Sequence, residues 1–215
     1  MNTERPPLLV TLGRKFARLA TNAVVRRPAL WRLFRRPLRA QFNLLAPRWE
    51  TIRSPDSLAA YEAALERLGR SPHRALDLGT GTGAGAFSLA RRFPDAEVIG
   101  VDLAEAMIEE ARRQTPPELE GRVRFEVADA TALPYGDGAF DLVALANMIP
   151  FFDELARVVA PGGFALFSFS SGAETPIYVP PERLRAELGR RGFTDFAEIA
   201  AGSGTAMLAR KEARG

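Results

Sequence analysis

The 215-residue chain contains no cysteine and a single histidine, His73. Without cysteine it cannot form disulfides, use a thiolate nucleophile or bind zinc through sulfur. One histidine also excludes a metal site built from several histidines, and we predict no metal site. No apolar run reaches the roughly 20 residues that a membrane-spanning helix requires, and the first residues lack the apolar block of a secretory signal. These absences favour a cytoplasmic protein with one main domain.

Acidic residues are almost absent from the first 48 positions. This segment carries 11 Arg or Lys and one acid, Glu4, whereas the remaining chain has 18 basic and 25 acidic residues. Two successive segments show helical spacing, with leucines on one face and arginines on the other, and Pro37 is expected to kink or split the second helix. On the expected apolar face of the first helix lie Leu8, Leu9, Leu12, Phe16, Leu19, Ala20 and Ala23. We predict a basic helical extension over residues 1–48 and a main domain over residues 49–215.

From Arg74 onward, short apolar runs alternate with helical patterns, which predicts a parallel sheet with helices on both faces. Two runs near the end, Asp195–Ala201 and Thr205–Arg210, flank a Gly-Ser-Gly turn and predict an antiparallel hairpin. The predicted fold is therefore α/β: a Rossmann-like, doubly wound, seven-stranded sheet, mostly parallel, with a C-terminal antiparallel hairpin. The five preceding strands are expected at Ala75–Leu78, Val98–Val101, Val123–Val127, Leu142–Ala146 and Phe164–Phe169. The helices of the main domain are expected at Ala84–Phe93, Ala104–Gln114, Phe152–Val159 and Pro181–Arg191, with a loop at Leu133–Ala139.

A glycine-rich turn, Asp77-Leu-Gly79-Thr-Gly81-Thr-Gly83, joins the first strand to the next helix. Glycines let the backbone approach a ligand closely, and a helix start offers unpaired N–H groups. Dinucleotides and S-adenosylmethionine both use such a turn, with an acid at the end of the second strand for the ribose hydroxyls. Asp102 fills that position for either ligand. The turn by itself leaves both an NAD(P)-dependent oxidoreductase and an S-adenosylmethionine-dependent enzyme open.

Further motifs follow in a fixed order along the chain. Ala128-Asp129-Ala130 follows the third strand, Phe140-Asp141-Leu142-Val143 begins the fourth, and Glu154 to Gly163 forms a helix and turn before the fifth. With the glycine turn and Val101-Asp102-Leu103, they make the segment from Phe42 to Lys211 resemble the class I S-adenosylmethionine-dependent methyltransferases. Within that family, the segment most resembles the small-molecule branch, the methyltransferases of type 11.

The resemblance implies a site for S-adenosylmethionine. In the family, the acid before the first glycine, here Asp77, orients the cationic amino group of the methionine part. The acid after the third strand, here Asp129, accepts a hydrogen bond from the adenine amine. A carboxylate at Asp77 would repel a dinucleotide pyrophosphate, so it favours the sulfonium cofactor. The predicted cofactor-binding residues are Asp77, Gly79, Thr80, Gly81, Gly83, Asp102, Leu103, Met107, Asp129, Ala130 and Asn147.

Apolar residues follow the fourth strand, where members of the family contact the methyl acceptor. Asn147-Met-Ile-Pro-Phe151 is only partly similar to the Asn-Pro-Pro-Tyr/Phe signature of amino-group methyltransferases. Its apolar character predicts a small hydrophobic or aromatic acceptor, methylated by in-line displacement. Met148, Phe151 and Tyr178 are predicted to contact this substrate. Trp49 lies in a segment that resembles the family's Phe-Asp-x-x-Ala-x-x-Tyr and is predicted to form a lid.

No general base is evident from the sequence. Asn147 and Asp153 are weak catalytic candidates, because both residue types also suit helix caps. His73 precedes the first strand and is expected at the end of the sheet opposite the ligand. Asp141 begins a strand at that same end and is interpreted as structural. A cofactor-binding protein without catalysis therefore stays open as an alternative.

Three interpretations of the basic segment stay open. Its helices either pack over the ligand crevice with the arginines in solvent, or attach the protein through residues 8–45 to an anionic membrane surface, as on the inner face of a membrane. The third interpretation is nucleic-acid binding. It ranks last because no RNA-binding module is evident, and an RNA methyltransferase is disfavoured for the same reason.

Overall fold

The computed structural model describes residues 8–213, and side chains from residue 12 onward. Its centre is one seven-stranded sheet in the order β3-β2-β1-β4-β5-β7-β6. Strands β1 to β5 are parallel, whereas β7 runs antiparallel to both β5 and β6. This confirms the predicted sheet and its C-terminal hairpin. The strands are β1 (Arg74–Leu78), β2 (Glu97–Asp102), β3 (Val123–Val127), β4 (Phe140–Ala146), β5 (Val159–Phe169), β6 (Phe193–Ala201) and β7 (Gly204–Lys211).

Helices cover both faces of the sheet, because each buried strand is apolar on both sides. On one face α4, α5 and α6 share a hydrophobic cluster with the sheet, and on the other face α1, α2, α7 and α8 do so. In β1, Leu76 and Leu78 point to the second cluster and Ala75 to the first, as strand alternation requires. The helices are α1 (Leu8–Arg26), α2 (Trp31–Leu45), α3 (Trp49–Ile52), α4 (Ala59–Glu66), α5 (Ala84–Arg92), α6 (Glu105–Arg113), α7 (Phe152–Val158) and α8 (Pro181–Gly189).

The order of the strands reverses between β1 and β4, which are neighbours in the sheet. In an open parallel sheet, the carboxyl ends of the strands at this reversal border the ligand crevice. The glycine turn follows β1, and Asn147 follows β4, so both lie at this point. The segment between β3 and β4 is a loop over residues 133–139, as predicted.

Two prolines lie inside regular elements. Pro37 does not split the second helix, because α2 runs continuously from Trp31 to Leu45, and the kink stays a prediction. Leu33, whose carbonyl loses its N–H partner at Pro37, is exposed, so water can replace that hydrogen bond. Pro161-Gly162-Gly163, expected to be a separate turn, lies inside β5 at an irregularity in its pairing with β4. Gly162 supplies a φ of 74° there.

The buried face of α1 is rotated from the predicted apolar face. Ala20 is buried and Phe16 packs on the core, as predicted, but Leu12 and Leu19 are more than half exposed, at 53% and 61%. Ala17 and Val24, which lie outside the predicted face, are buried instead. Small side chains let the helix lie close to its neighbours, and this outweighs the burial of the longer leucines. Leu8 and Leu9, which belong to the predicted apolar face, lie outside the described side chains. No helix within residues 8–213 is long and apolar enough to cross a membrane.

Candidate functional site

The glycine turn at the carboxyl end of β1 adopts a backbone that few other residues tolerate. Gly79, Gly81 and Gly83 have φ values of 76°, 55° and 93°. The N–H groups of Gly79 and Thr80 both donate to the carbonyl of Val101 at 2.9 Å, which ties the turn to β2. The turn is therefore a rigid platform between the first two strands.

Asp77 lies beneath this platform and is almost fully buried. Its Oδ2 accepts a hydrogen bond from the Thr80 hydroxyl at 2.6 Å, and its Oδ1 accepts one from the Tyr61 hydroxyl at 3.3 Å. Burial raises the pKa of Asp77 to about 6, although these hydroxyls and the N–H of Ala86 oppose the rise. A Cβ on Gly85 would collide with the carboxylate, so α5 reaches Asp77 only because residue 85 is glycine. Asp77 supports the turn from below, and its contact with a cofactor amine stays a prediction.

Asp102 at the end of β2 holds the backbone on both sides of it. One carboxylate oxygen accepts the N–H of Gly81 at 3.0 Å and the other accepts the N–H of Ala104 at 2.9 Å. Burial raises the pKa of Asp102, and these backbone hydrogen bonds oppose the rise. The Asp102 carboxylate thus contacts the glycine turn, where the ribose is expected. The next residue, Leu103, is partly exposed.

Asp129 after β3 is held by helix α2. Its Oδ1 accepts hydrogen bonds from the Trp31 indole N–H at 3.0 Å and from the Thr131 hydroxyl and N–H at 2.8 and 3.0 Å. Its Oδ2 lies 3.3 Å from Arg35 Nη1. Burial alone raises the pKa of Asp129, but these hydrogen bonds outweigh burial and hold the pKa below its usual range. Asp129 is therefore a charged acceptor at neutral pH.

A cavity of about 300 Å³ lies between α2 and the carboxyl ends of β2 and β3. Leu103 and Asp129, both predicted to contact adenine, form one side, and the opposite side comes from the basic helix. The lining residues are Arg35, Arg36, Arg39, Leu103 and Asp129.

Trp49 lies against the glycine turn, which agrees with its predicted position as a lid. Its indole nitrogen would be 3.7 Å from a Cβ on Gly81, and its ring packs edge-on against Phe42 at 5.7 Å. The Thr82 hydroxyl donates a 2.6 Å hydrogen bond to Glu50, the residue after Trp49. Helix α3 is thus attached to the turn by a polar contact next to an aromatic one.

Met107 and Ala130 lie behind the crevice and do not line it. Met107 is fully buried in a small cluster with Ala46 and Ala104, on which Trp49 packs. Ala130 is 5% exposed and belongs to the main cluster of the α1–α2 face. The expectation of a direct cofactor contact by Met107 is therefore corrected: its apolar side chain belongs to the cluster on which Trp49 packs.

Asn147 connects the ends of β4 and β5. Its φ of 52° is unusual for a residue with a side chain and marks local strain. Its side-chain amide donates to the Ser170 hydroxyl at 3.0 Å, and its Oδ1 accepts the Ser170 N–H at 2.9 Å. This pairing replaces the helix cap that the sequence left open. The next residue, Met148, covers Gly79 so closely that a Cβ there would collide with its Cγ.

The aromatic residues predicted to contact the acceptor are spread along this side of the crevice. Phe151 is buried and meets Trp31 edge-on, with ring centroids 5.1 Å apart. Tyr178 is partly exposed and packs edge-on against Phe169 at 5.0 Å. Burial and nearby acids raise the pKa of Tyr178, so it is a neutral phenol at physiological pH.

Asp153 does not face the crevice. Its side chain is 88% exposed and forms an ion pair with Arg191 at 2.7 Å. The suggestion that Asp153 acts as a general base is therefore wrong, because its carboxylate points into solvent. His73 is exposed at the amino end of β1, as expected. Asp141 accepts backbone N–H groups from His73 and Arg74 at 2.9 and 3.0 Å, which confirms its structural interpretation.

Comparison with known proteins agrees with this geometry. Residues 75–163 match the family model described as a methyltransferase domain. A demethylmenaquinone methyltransferase of Thermus thermophilus is 43% identical over 138 residues, covering 57% of this chain and 60% of that protein. A malonyl-[acyl-carrier protein] O-methyltransferase of Halorhodospira halophila is 38% identical over 151 residues, covering 66% and 50%. A SAM-dependent methyltransferase of Aquifex aeolicus shares the fold, with a TM-score of 0.65 at 17% identity over 77% of this chain and 97% of that one.

From β1 to the start of β5 the chain is thus similar to methyltransferases, and it shares its fold with a SAM-dependent methyltransferase. It spans between half and 60% of the length of the curated relatives just described. The matched residues of the family model begin in β1 and end in β5, so they include the glycine turn, Asp102 and Asp129.

Four residues of this candidate site were not predicted from the sequence. Tyr61 and Glu50 bind Asp77 and the glycine turn from α4 and α3, while Trp31 and Arg35 bind Asp129 from α2. None of the four belongs to a family motif. Trp31 and Arg35 are four positions apart and share one side of α2, but the pattern of a basic amphipathic helix does not indicate what that side would contact.

Proposed function

We propose that this methyltransferase binds S-adenosylmethionine and transfers its methyl group to a small hydrophobic or aromatic acceptor. The observation that carries the proposal is the carboxyl end of the sheet at the strand reversal, where Asp102 binds the glycine turn and a cavity lies beside Leu103 and Asp129. Asp102 would accept from the ribose and Asp129 from the adenine amine, so the arrangement suits an adenosine. A dinucleotide pyrophosphate at the glycine turn would be repelled by the carboxylate of Asp77.

The acceptor is proposed to enter at the opposite end, past the residues that follow β4. Met148 and Tyr178 are partly exposed there and give this end an apolar and aromatic surface, with the buried Phe151 behind it. Several of the relatives are named demethylmenaquinone methyltransferase, which supports a quinone-like aromatic ring as the acceptor. A malonyl thioester is the second candidate, because other relatives carry that name.

The chemistry requires little from the protein beyond alignment. A sulfonium is already activated for in-line displacement, so the site must orient donor and acceptor and exclude water. We propose that Trp49 and Met148 cover the methionine part and exclude water, since both contact the glycine turn. Asn147 is proposed to hold the acceptor end in place through its amide pair with Ser170.

Calorimetry separates the two cofactor classes. We expect S-adenosylmethionine and S-adenosylhomocysteine to bind, and NAD and NADP not to bind. Binding of NAD without the sulfonium would instead support an oxidoreductase. A labelled-methyl screen with hydroquinones, phenols, amines and malonyl thioesters then identifies the acceptor. Cofactor binding with no transfer to any of these classes would favour a binding protein without catalysis.

A second proposal concerns the outward surface of α1 and α2. Residues 8–45 contain nine basic residues and no acid. The large apolar side chains exposed on these helices are Leu12, Leu19, Leu33 and Leu44. Apolar side chains among arginines fit an anionic membrane surface, where each basic residue contributes about 1 kcal/mol. We propose that this surface attaches the protein to membranes that hold a hydrophobic acceptor.

Co-sedimentation with vesicles tests the attachment. The protein should pellet with vesicles containing an anionic phospholipid, less at high salt, and not with neutral vesicles. Leu19→Gln and Leu33→Gln should each reduce pelleting several-fold, because both leucines face outward. The exposed Ile52→Gln on α3 is the matched control and should pellet like the wild type. Binding to RNA with no binding to anionic vesicles would support the nucleic-acid interpretation instead.

A further inference from the structure

Trp31 makes a polar contact that its surroundings keep fixed. The side chain is 9% exposed, and its indole N–H lies 3.0 Å from Asp129 Oδ1 and 3.3 Å from Oδ2. Its ring packs edge-on against Phe151 at 5.1 Å. An aromatic side chain packed in this way has one orientation, so its N–H has one direction. Asp129 therefore receives a hydrogen bond from a donor that cannot rotate away.

The rest of α2 fixes the position of Trp31 along the crevice. Arg39 forms an ion pair with Glu105, with Nε 2.9 Å from Oε2. Asn43 accepts the backbone N–H of Ala106 at 3.1 Å. Both partners lie at the start of α6, so α2 is attached to the main domain at its far end as well as at Trp31. A sliding motion of the helix would break all of these contacts together.

The two oxygens of Asp129 differ in their capacity to accept a further hydrogen bond. Oδ1 accepts from Trp31 and twice from Thr131, which exceeds the two lone pairs of one carboxylate oxygen. Oδ2 has only a second, longer contact to Trp31 and the 3.3 Å contact to Arg35, whose side chain is 46% exposed. Oδ2 is therefore the oxygen that a better donor can use, and Asp129 lines the cavity with Leu103.

We propose that Trp31 is a positioning residue that makes the pocket select a 6-aminopurine over a 6-oxopurine. Together with the two donors of Thr131, its N–H fixes Oδ1 and orients the carboxylate so that Oδ2 accepts from the amine of adenine, which displaces Arg35 into solvent. A 6-oxopurine presents a carbonyl at the same place, which a charged carboxylate repels. A site built around one hydrogen bond discriminates in this way because the wrong ligand leaves a buried group without its partner. This inference rests on the proposed cofactor.

The selectivity ratio tests the proposal directly. We would measure dissociation constants for S-adenosylhomocysteine and for its 6-oxo analogue, S-inosylhomocysteine, by calorimetry. The wild type should prefer the adenine ligand by at least about tenfold, the value of one charge-assisted hydrogen bond. Trp31→Phe keeps the ring against Phe151 and removes the N–H, and should lower the ratio about fivefold by weakening only the adenine ligand. Thr131→Val removes another donor to Oδ1 and should lower the ratio in the same direction.

Asn43→Ala is the matched control, because it loosens α2 without touching Asp129. It should leave the selectivity ratio unchanged, even if both dissociation constants rise. An unchanged ratio in Trp31→Phe, with near-ultraviolet circular dichroism like the wild type, would overturn the proposal. Tighter binding of both ligands by Trp31→Phe would also overturn it, since Trp31 would then obstruct the pocket. If the wild type binds neither ligand, the proposed cofactor itself fails, and this inference falls with it.

Discussion

The buried carboxylate of Asp77 should make the stability of the protein fall as pH rises from 4 to 6. Burial raises the pKa of Asp77 from 3.8 to about 6. In this window the folded protein therefore binds more protons than the unfolded chain, and the free energy of unfolding decreases with rising pH. A shift of roughly two pKa units corresponds to about 3 kcal/mol. The fall continues through the folded pKa and ends about one pH unit above it, where the carboxylate is charged in both states.

Asp77→Asn removes the titration while keeping the volume and one acceptor oxygen. We would measure urea unfolding of wild type and variant every half unit from pH 4.5 to 7.5. Other titrating groups contribute equally to both proteins, so they cancel in the difference. The wild type should lose between about 2 and 3 kcal/mol relative to the variant across this range. Parallel stability profiles would refute the reasoning, because Asp77 would then have the same pKa in the folded and unfolded chains.

The titration of Asp77 should also make cofactor affinity depend on pH. If Asp77 attracts the cationic amino group of S-adenosylhomocysteine, the charged form binds better, and affinity should fall as pH drops below about 6. The wild type would lose up to about tenfold in affinity between pH 7 and pH 5, and Asp77→Asn would show no such loss. The exposed Asp153→Asn serves as the control and should follow the wild type. Equal affinity of the wild type at both pH values would mean that Asp77 acts only on the turn.

Three substitutions test the glycine turn and the residues that pack around it. Trp49→Ala should weaken binding of S-adenosylhomocysteine about fivefold to tenfold by uncovering the turn, and an unchanged dissociation constant in a stable variant would contradict the lid. Gly79→Ala should lower the free energy of unfolding by more than about 1 kcal/mol and abolish cofactor binding, because φ is positive and Met148 occupies the space of the added methyl. A stable, binding-competent variant would argue against the close approach. Tyr61→Phe removes a hydroxyl from Asp77 and should cost about 1 kcal/mol in urea unfolding at pH 7, and less at pH 5 where the carboxylate is protonated.

The sheet was predictable because its pattern is local. Each of β1 to β5 is a short apolar run between turn residues, and the alternation with helices implies parallel pairing. The glycine turn was also predictable, since a positive φ at Gly79 and Gly83 restricts the residue type. Asp141 could be interpreted as structural because its position at the start of β4 assigns it to the end of the sheet opposite the ligand.

Predictions failed where they depended on how a helix packs against residues that are distant in the sequence. The expected apolar face of α1 is rotated in the structure, which exposes Leu12 and Leu19 and buries Ala17 and Val24 instead. Periodicity indicates that a helix has two faces, but close packing decides which of them fits the neighbouring surface. The prediction that Asp153 is a general base failed for a related reason. Its ion-pair partner, Arg191, lies 38 positions away in the sequence on a different element.

The sequence by itself determined the order of strands and helices, which acids follow which strands, and the motifs that resemble the methyltransferases. These features depend on neighbours in the chain, and backbone sterics and hydrophobic periodicity act over a few residues. Only the tertiary structure decided what each acid contacts. Trp31 and Asp129 are 98 positions apart and meet because α2 packs across the ends of β2 and β3. No local rule specifies such a contact, since it results from the shape of two surfaces that exist only after the chain has folded.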